Sequence, residues 1–199
     1  MNLQKLQTTI KDIDIYILDQ ILKNRYQTGE KILDAGCGSG RNLKWFYASN
    51  FEIHGIDICT EDIEYCKEIY STQKENFRVS SIEEIKYKSN SFNHIICNAV
   101  LHFAKDFTHF IKMFEKLLEI LKPQGTLFIR MASNFGIEDK VQYLENGVYE
   151  LPDGTTRFLL TQHILDNLLS EYNLTVEEIL KTTIVHNKRS MTTVVFKLE

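Results

Sequence analysis

The sequence has no long apolar run and no cluster of basic residues. A membrane-spanning helix needs about eighteen or more consecutive apolar residues, and no stretch approaches that length. The 23 Lys and Arg residues are scattered and are outnumbered by 27 Asp and Glu residues. Because nucleic-acid binding rests on clustered positive charge, we expect neither a nucleic-acid nor a membrane partner. Residues 1–9 also lack the apolar core of a signal peptide, so we expect a cytoplasmic protein.

Cysteine pairs with metal-ligand spacing are lacking as well. None of the four cysteines belongs to a C-x-x-C pair, and no histidine stands at zinc spacing from them. We therefore predict no metal site and interpret all four as small, partly buried thiols. They are Cys37, Cys59, Cys66 and Cys97. The 199 residues, without an internal repeat, low-complexity tract or linker, fit one domain.

The most informative stretch present is Lys31–Arg41, which reads KILDAGCGSGR. A short apolar run enters an acidic residue, Asp34, and a helix-like segment follows at 42–48. Three glycines stand between them at alternate positions: Gly36, Gly38 and Gly40. Strand, glycine loop and helix form the first unit of a parallel α/β sheet. Glycines let the backbone approach a ligand, and the loop amides and helix N-terminus suit a polar ligand end.

The spacing of the glycines decides between ligands. A dinucleotide fingerprint needs G-x-G-x-x-G, and here the third glycine comes one residue early. A phosphate loop needs a Lys-Ser/Thr pair, and none follows Gly40. The string Asp34–Gly40 instead resembles motif I of the class I S-adenosylmethionine-dependent methyltransferases, most closely the small-molecule type. In that family this loop wraps the amino acid end of the cofactor.

The second predicted strand, Glu52–Ile58, supports this resemblance because Asp57 lies near its end. A carboxylate about twenty residues beyond a glycine loop can accept two hydrogen bonds from a ribose diol. The resemblance implies that S-adenosyl-L-methionine is the cofactor and S-adenosyl-L-homocysteine the product. The cofactor-binding residues that it implies are Asp34, Ala35, Gly36, Cys37, Gly38, Asp57, Ile58, Ser81, Ile82 and Asn98.

A few positions depart from the family's usual pattern. Ser81 stands where many members have an aspartate that binds the adenine amino group. This contact then falls to the Ser81 hydroxyl, the Ile82 backbone or the Glu83 carboxylate. Asn93 replaces the aspartate of the usual S-F-D-x-V strand, and Gln124 replaces one glycine of the L-K-P-G-G turn.

His102 is the candidate catalytic residue. It follows the fourth predicted strand, and ligands of open parallel sheets bind outside the carboxyl ends of the strands. The sulfonium methyl is already activated, so the protein mainly holds the nucleophile in line with the sulfur–methyl bond. Histidine titrates near neutrality and can act as a general base if the acceptor must lose a proton early. A cofactor-shelf or structural role for His102 stays open. Candidate substrate residues are Tyr16, Tyr149 and Arg157.

The resemblance also implies a fold. We expect an α/β, Rossmann-like sheet of seven strands in the order 3-2-1-4-5-7-6, with strand 7 antiparallel and helices on both faces. Residues 1–29 are predicted to form an N-terminal helical cap. Residues 30–199 are predicted to form the class I methyltransferase domain, with a variable substrate-side segment at about 132–160.

Periodicity and turn residues predict the individual elements. One amphipathic helix is predicted over Ile10–Leu22. A short helix is predicted at Gly136–Leu144, followed by two extended runs in Val148–Phe158 around a Pro-Asp-Gly turn. The last two strands are predicted at Val176–Val185 and Thr192–Leu198. The other predicted elements are strands at Phe77–Val79 and Thr126–Arg130 and helices at Asn42–Ala48, Thr60–Tyr70, Asp106–Leu121 and Thr161–Glu171.

The predicted function is in-line transfer of a methyl group to an unidentified small molecule, by a monomer or homodimer. The acidic balance favours a small acceptor over DNA or RNA. After strand four the chain reads Asn98-Ala-Val-Leu and not Asn-Pro-Pro-Tyr, which argues against methylation of a base or glutamine nitrogen. The alternatives are a cofactor-binding regulator without transfer activity, a protein methyltransferase and a nicotinamide oxidoreductase.

Overall fold

The computed structural model describes residues 3–199, whose centre is a mixed eight-stranded sheet. Between the fifth and sixth strands of this sheet, the chain forms a separate three-stranded sheet. In chain order the strands are β1 (Lys31–Ala35), β2 (Glu52–Asp57), β3 (Phe77–Val79), β4 (Phe92–Asn98), β5 (Leu121–Ala132), β6 (Gln142–Glu145), β7 (Val148–Glu150), β8 (Thr156–Phe158), β9 (Leu174–Val176), β10 (Lys181–Val185) and β11 (Arg189–Leu198).

The strand order confirms the predicted topology. The main path runs β3-β2-β1-β4-β5-β11-β10. The strands from β1 to β5 are parallel, whereas β11 is antiparallel to β5. Strands β11 and β10 therefore occupy the places predicted for strands 7 and 6. The carboxyl ends of β1, β2 and β4 meet at one edge of the sheet, where the glycine loop begins.

Helices cover both faces of the sheet, as predicted. They are α1 (Leu3–Ile10), α2 (Ile15–Leu22), α3 (Lys44–Ala48), α4 (Thr60–Ile69), α5 (Phe107–Ile120) and α6 (Gln162–Glu171). Successive strand residues point to opposite faces, and β1 shows this directly. Ile32 belongs to a core with residues of α2, α3 and α4. Its neighbour Leu33 belongs to a second core with residues of α5 and α6.

The N-terminal segment contains two helices where one was predicted over Ile10–Leu22. Helix α1 ends at Ile10, and Asp12 has a φ of 68°. Asp14 then caps α2, because its carboxylate accepts a hydrogen bond of 2.9 Å from the Tyr16 N–H. The short aspartate side chains favour turn and cap geometry over a continuous helix. The first two residues of the predicted 1–29 cap lie outside the described residues.

The segment at 132–160 holds a second difference. The short helix predicted at Gly136–Leu144 is wrong, because turns follow Gly136 and Gln142–Glu145 forms β6. Asn146 and Gly147 both have positive φ, at 48° and 86°. An Asn-Gly pair of this kind makes a tight hairpin turn. The residues before it therefore form strand β6, which pairs with β7, and not a helix. The predicted hairpin around Pro-Asp-Gly is confirmed as β7 and β8.

The C-terminal strands also divide differently from the prediction. The strand predicted at Val176–Val185 is two strands, β9 and β10, which both pair with β11. Between them Glu177 and Glu178 point to the N-terminal segment, where Arg25 donates to the Glu177 carboxylate and Lys23 to that of Glu178. These ion pairs hold the interruption between the two strands. Strand β11 begins earlier than predicted, at Arg189.

Candidate functional site

In the glycine loop after β1, packing requires a glycine at Gly36 and at Gly40, whereas Gly38 faces open space. The Gly36 N–H donates to the Ile56 carbonyl at 2.8 Å, which holds the loop on β2. A Cβ on Gly36 would lie 2.2 Å from Val100 Cγ2. On Gly38, whose φ is 48°, the nearest described atom would be Asp62 Oδ2 at 3.9 Å. Gly36 therefore allows close packing, and Gly38 leaves room above the loop.

Asp57 closes the other side of this loop. Its Oδ2 accepts a hydrogen bond of 2.8 Å from the Gly38 N–H, and its Oδ1 accepts one of 2.9 Å from the Cys59 N–H. Each carboxylate oxygen keeps a second lone pair. The sequence spacing thus brings Gly38 and Asp57 into direct contact, with acceptor capacity left for a ligand.

A cleft of about 440 Å³ lies over the loop and the carboxyl ends of β1, β2 and β4. Most of the predicted cofactor residues line it. They are Gly36, Gly38, Asp57, Ile58, Ser81, Ile82 and Asn98. The remaining predicted residues, Asp34, Ala35 and Cys37, are buried and do not line the cleft. Phe103, from the turn after β4, and His109 and Met113, from α5, also line the cleft and were missed from the sequence.

Glu83 supplies the acidic group at the end of the cleft near Ser81. Both residues line the cleft, and the Glu83 carboxylate is hydrogen-bonded to His109 Nε2. The Lys105 N–H donates to His109 Nδ1 at 3.0 Å, so Nε2 carries the proton given to Glu83. Burial opposes ionisation of Glu83, but its own backbone N–H and His109 outweigh burial and lower its pKa. An ionised acceptor therefore stands beside the serine that replaces the family's aspartate.

Three buried polar groups at the strand ends have no hydrogen-bond partner among the described residues. These groups are both oxygens of Asp34, Oδ1 of Asn98 and Nε of Arg130. Asn98 and Arg130 are register partners on β4 and β5. Burial, with a smaller contribution from Asp57, raises the pKa of Asp34 to about 8. An unpaired buried polar group is costly, so these strand ends lower the stability of the free protein.

A second, smaller pocket of about 280 Å³ adjoins the cleft. The two cavities share Ala99 and Phe103. Ala99 has a φ of 63°, which is unusual for a residue with a side chain, and its N–H donates to the Arg130 carbonyl at 2.7 Å. Strained backbone of this kind is often found at ligand sites. The loop after β4 therefore forms the junction between the cavities with a backbone conformation that a hydrogen bond to β5 stabilises.

His102 lines the second pocket and is held in one tautomer. Its Nδ1 accepts a hydrogen bond of 3.2 Å from the Ala132 N–H, so the neutral ring carries its proton on Nε2. Burial lowers the pKa of His102 to about 4, and the charges of nearby arginines add to this effect. These arginines are Arg157, Arg130 and Arg189. At neutral pH the ring is uncharged and offers an Nε2–H donor.

We expect the imidazole signals of His102 to stay constant between pH 8 and pH 5.5 in an NMR titration. The pKa of the folded state lies below the ordinary value of 6.5, so the unfolded chain takes up the proton first as the pH falls. Stability is therefore lost between pH 6.5 and pH 4, by up to about 3 kcal/mol from this group. His102→Gln assigns the signal and removes this loss. A titration midpoint for His102 near pH 6.5 would show that its pKa is not lowered and would contradict the neutral, buried ring.

The predicted substrate residues separate into two groups. Arg157 lines the second pocket, with its guanidinium 5.0 Å from the centre of the Phe103 ring. Tyr16 lines neither cavity, because its hydroxyl is hydrogen-bonded to Thr183. Tyr149 lines neither cavity and packs against the Tyr143 ring at 5.2 Å. Arg189, which lines the pocket, was missed because it comes from a distant hairpin.

Two features are absent from the described part of the chain. Residues 3–199 contain no group of three or more His, Cys, Asp and Glu side chains placed to hold a metal ion. Within the same residues, no helix has the length and apolar character needed to cross a bilayer.

Comparison with known proteins identifies the family. A family model described as a methyltransferase domain matches residues 12–179. The chain belongs to this family. Ubiquinone biosynthesis O-methyltransferase of Bartonella bacilliformis is 27% identical over 164 residues, which cover 73% of this chain and 64% of that protein. YqeM of Bacillus subtilis is 29% identical over 111 residues, which cover 55% of this chain and 45% of that protein.

A solved structure shares the fold of this methyltransferase-family chain. It is an S-adenosylmethionine-dependent methyltransferase from Methanosarcina mazei, with a TM-score of 0.69 and 20% identity. The match covers 90% of this chain and 98% of that one, whereas the chain spans only 45% and 64% of the two curated relatives. Family membership confirms the prediction that the chain carries a methyltransferase domain.

Proposed function

We propose that this chain transfers the methyl group of S-adenosylmethionine in line to a small molecule held in the second pocket. The observation that carries the proposal is the contact between the two cavities at Ala99 and Phe103. One cavity is lined by most of the predicted cofactor residues, and the other is lined by His102 and Arg157. Two ligands in these cavities would meet end to end, as a bimolecular transfer requires.

The groups around the cleft fit the parts of the cofactor. In this proposal the buried Asp34 carboxyl ionises to pair with the ammonium group, and the Arg130 Nε–H donates to the carboxylate. Neither residue lines the cleft of the free protein, but these atoms lack a hydrogen-bond partner among the described residues. At the other end, the free lone pairs of Asp57 suit a ribose diol, and Glu83 with the Ile82 backbone suits the adenine edge. In this proposal Ala35 and Cys37 act through the backbone of the loop, Ile58 packs on the nucleoside, and Asn98 contacts the methionine end.

The bound cofactor supplies a methyl group that its sulfonium charge already activates. The residues of the chain then have to bind, orient and exclude water. Ala99 and Phe103 line both cavities and therefore flank the place where the two ligands would meet. This arrangement depends on position and demands little proton transfer from the protein.

In this proposal His102 orients the methyl acceptor by donating a hydrogen bond to it. The one ring nitrogen without a proton already accepts the Ala132 N–H, so removing a proton from the acceptor would require breaking that bond. The general-base role stays a prediction, and the hydrogen bonding favours an Nε2–H that holds an oxygen of the acceptor. An acceptor atom that attacks without early proton loss fits this site best.

A small acceptor fits the second pocket better than a protein chain does. The pocket has a volume of about 280 Å³, which is the lower end of the range for small-molecule sites. It is enclosed by β5, β11 and the β7–β8 hairpin, which supply Ala132, Met191 and Arg157. Transfer is tested by incubating the chain with the cofactor and a panel of small hydroxyl, amine and thiol compounds and measuring S-adenosylhomocysteine. Tight cofactor binding without turnover of any compound would contradict the proposal and favour a silent cofactor-binding module.

Replacing Asp57 with alanine should weaken binding of S-adenosylhomocysteine by about 1–3 kcal/mol, because buried hydrogen-bond partners lose their acceptor. Isothermal titration calorimetry measures this change. Asp139→Ala is the control, since Asp139 is an exposed aspartate outside the cleft. If both variants bind as the wild type does, Asp57 has no place in the cofactor site.

A further inference from the structure

The second pocket combines an apolar wall with a positive rim. Its apolar side is formed by Ala132, Leu151 and Met191, which belong to a small cluster between the main sheet and the β7 hairpin. The polar groups on its rim are His102, Arg157, Arg189 and Ser190. No Asp or Glu is among the described residues that line it. Although the protein has a net charge of −4, a pocket with this positive rim favours a negatively charged ligand.

The two arginines of the rim differ in their partners. Arg189 is neutralised, because its Nε donates to the Asp153 carboxylate. Arg157 donates through Nη1 to the Thr156 carbonyl at 2.6 Å and lies over the Phe103 ring. Within residues 3–199, no carboxylate forms an ion pair with it. A guanidinium has five N–H donors, so most of those on Arg157 remain free for a ligand.

The third arginine lies behind the pocket and does not change this balance. Arg130 lies 3.8 Å from the Asp14 carboxylate and over the Tyr16 ring, so its charge has a partner. The rim is therefore left with one uncompensated positive charge, on Arg157, and one neutral donor, the Nε2–H of His102. Burial is the main cause of the lowered pKa of His102, and the nearby arginine charges, that of Arg157 first, add to it.

We propose that the methyl acceptor is a monoanion: a small molecule with an apolar body and one carboxylate that Arg157 binds. A planar guanidinium can donate two parallel hydrogen bonds to a carboxylate. Because the rim has one unpaired positive charge, a ligand with a single negative charge neutralises it. The apolar body lies against Ala132, Leu151 and Met191, and His102 donates to an oxygen of the acceptor. This inference rests on the proposed function, because it takes the second pocket as the acceptor site.

The test compares two probes of nearly the same shape, benzoate and benzamide, which differ in charge. Each is titrated into protein saturated with S-adenosylhomocysteine, and the backbone amide signals of Ala99, Ala132 and Met191 are followed by NMR. We expect benzoate to bind about tenfold more tightly than benzamide and to shift these signals. Arg157→Gln should abolish the difference, whereas Arg78→Gln, which removes an arginine outside the pocket, should retain it.

Each outcome decides the inference. Equal binding of both probes, a preference that survives Arg157→Gln, or benzoate shifts confined to other amides would overturn it. Binding of S-adenosylhomocysteine to Arg157→Gln should stay within about twofold of the wild type, which shows that the variant is folded. If S-adenosylhomocysteine does not bind the wild type, the proposed function fails, and the same titration without it still decides whether the pocket prefers an anion.

Discussion

Replacing Gly38 with valine is expected to abolish the binding of S-adenosylhomocysteine, a loss of at least about 1,000-fold, or about 4 kcal/mol. The reason is steric, because a side chain on Gly38 would project into the open space over the loop. The same residue supplies the N–H that Asp57 accepts, so the loop cannot move away without breaking that contact. Calorimetry measures the binding, and circular dichroism shows whether the variant is folded.

Gly29→Val is the matched control for this prediction. Gly29 also has a positive φ, of 91°, and an added Cβ would meet no described atom within 4 Å. It precedes the amino end of β1, whereas the cleft lies at the carboxyl end. Both variants should lose about 1 kcal/mol of stability from the left-handed backbone. A Gly38→Val protein that binds as tightly as Gly29→Val would show that the loop does not approach the ligand.

Replacing Asp34 with asparagine is expected to stabilise the free protein at neutral pH and to weaken cofactor binding. The pKa of Asp34 in the folded state, about 8, lies above its ordinary value of 3.8. Between these values the folded state holds a proton that the unfolded state has lost, so stability falls as the pH rises. From pH 5 to pH 7 the wild type should lose about 3 kcal/mol relative to Asp34→Asn. Urea unfolding at the two pH values measures this difference.

The same substitution should lower the affinity for S-adenosylhomocysteine about tenfold, because the ammonium group loses its charged partner. A stability gain combined with a binding loss is typical of a residue kept for a ligand. Asp139→Ala again serves as a control and should change neither quantity. If Asp34→Asn binds normally and unfolds with the same pH dependence as the wild type, the buried carboxylate has another role.

The parts of the fold that could be predicted are those fixed by local pattern. Strand β3 at Phe77–Val79 and helices α5 and α6 follow from apolar runs and helical periodicity, and the side chains of Asp106 and Thr161 cap the two helices close to their predicted starts. The errors occurred where a single polar residue redirected the chain. Asp14 ended one helix by capping another, and the Asn146-Gly147 turn converted a predicted helix into a hairpin strand. Periodicity alone does not detect such changes.

The candidate site shows the same division. The proximity of Gly38 and Asp57 could be predicted because they lie at a fixed spacing in the sequence, and the parallel strands bring them together. Their role in cofactor binding stays a prediction. The second pocket was predicted only in part, since it joins residues from four separate segments. Arg157 on β8 and Arg189 on β11 come together at this pocket only after two different sheets have folded. The tautomer of His102 depends on the Ala132 N–H, a backbone contact that no side-chain pattern encodes.

The proposed function depends on binding of S-adenosylmethionine or its demethylated product by residues 36–38 and Asp57. Calorimetric titration with S-adenosylhomocysteine, with NADH as the comparison ligand, tests it most directly. The account predicts saturable binding of S-adenosylhomocysteine at one site for each chain and no heat with NADH. Binding of NADH together with a flat S-adenosylhomocysteine titration would contradict it.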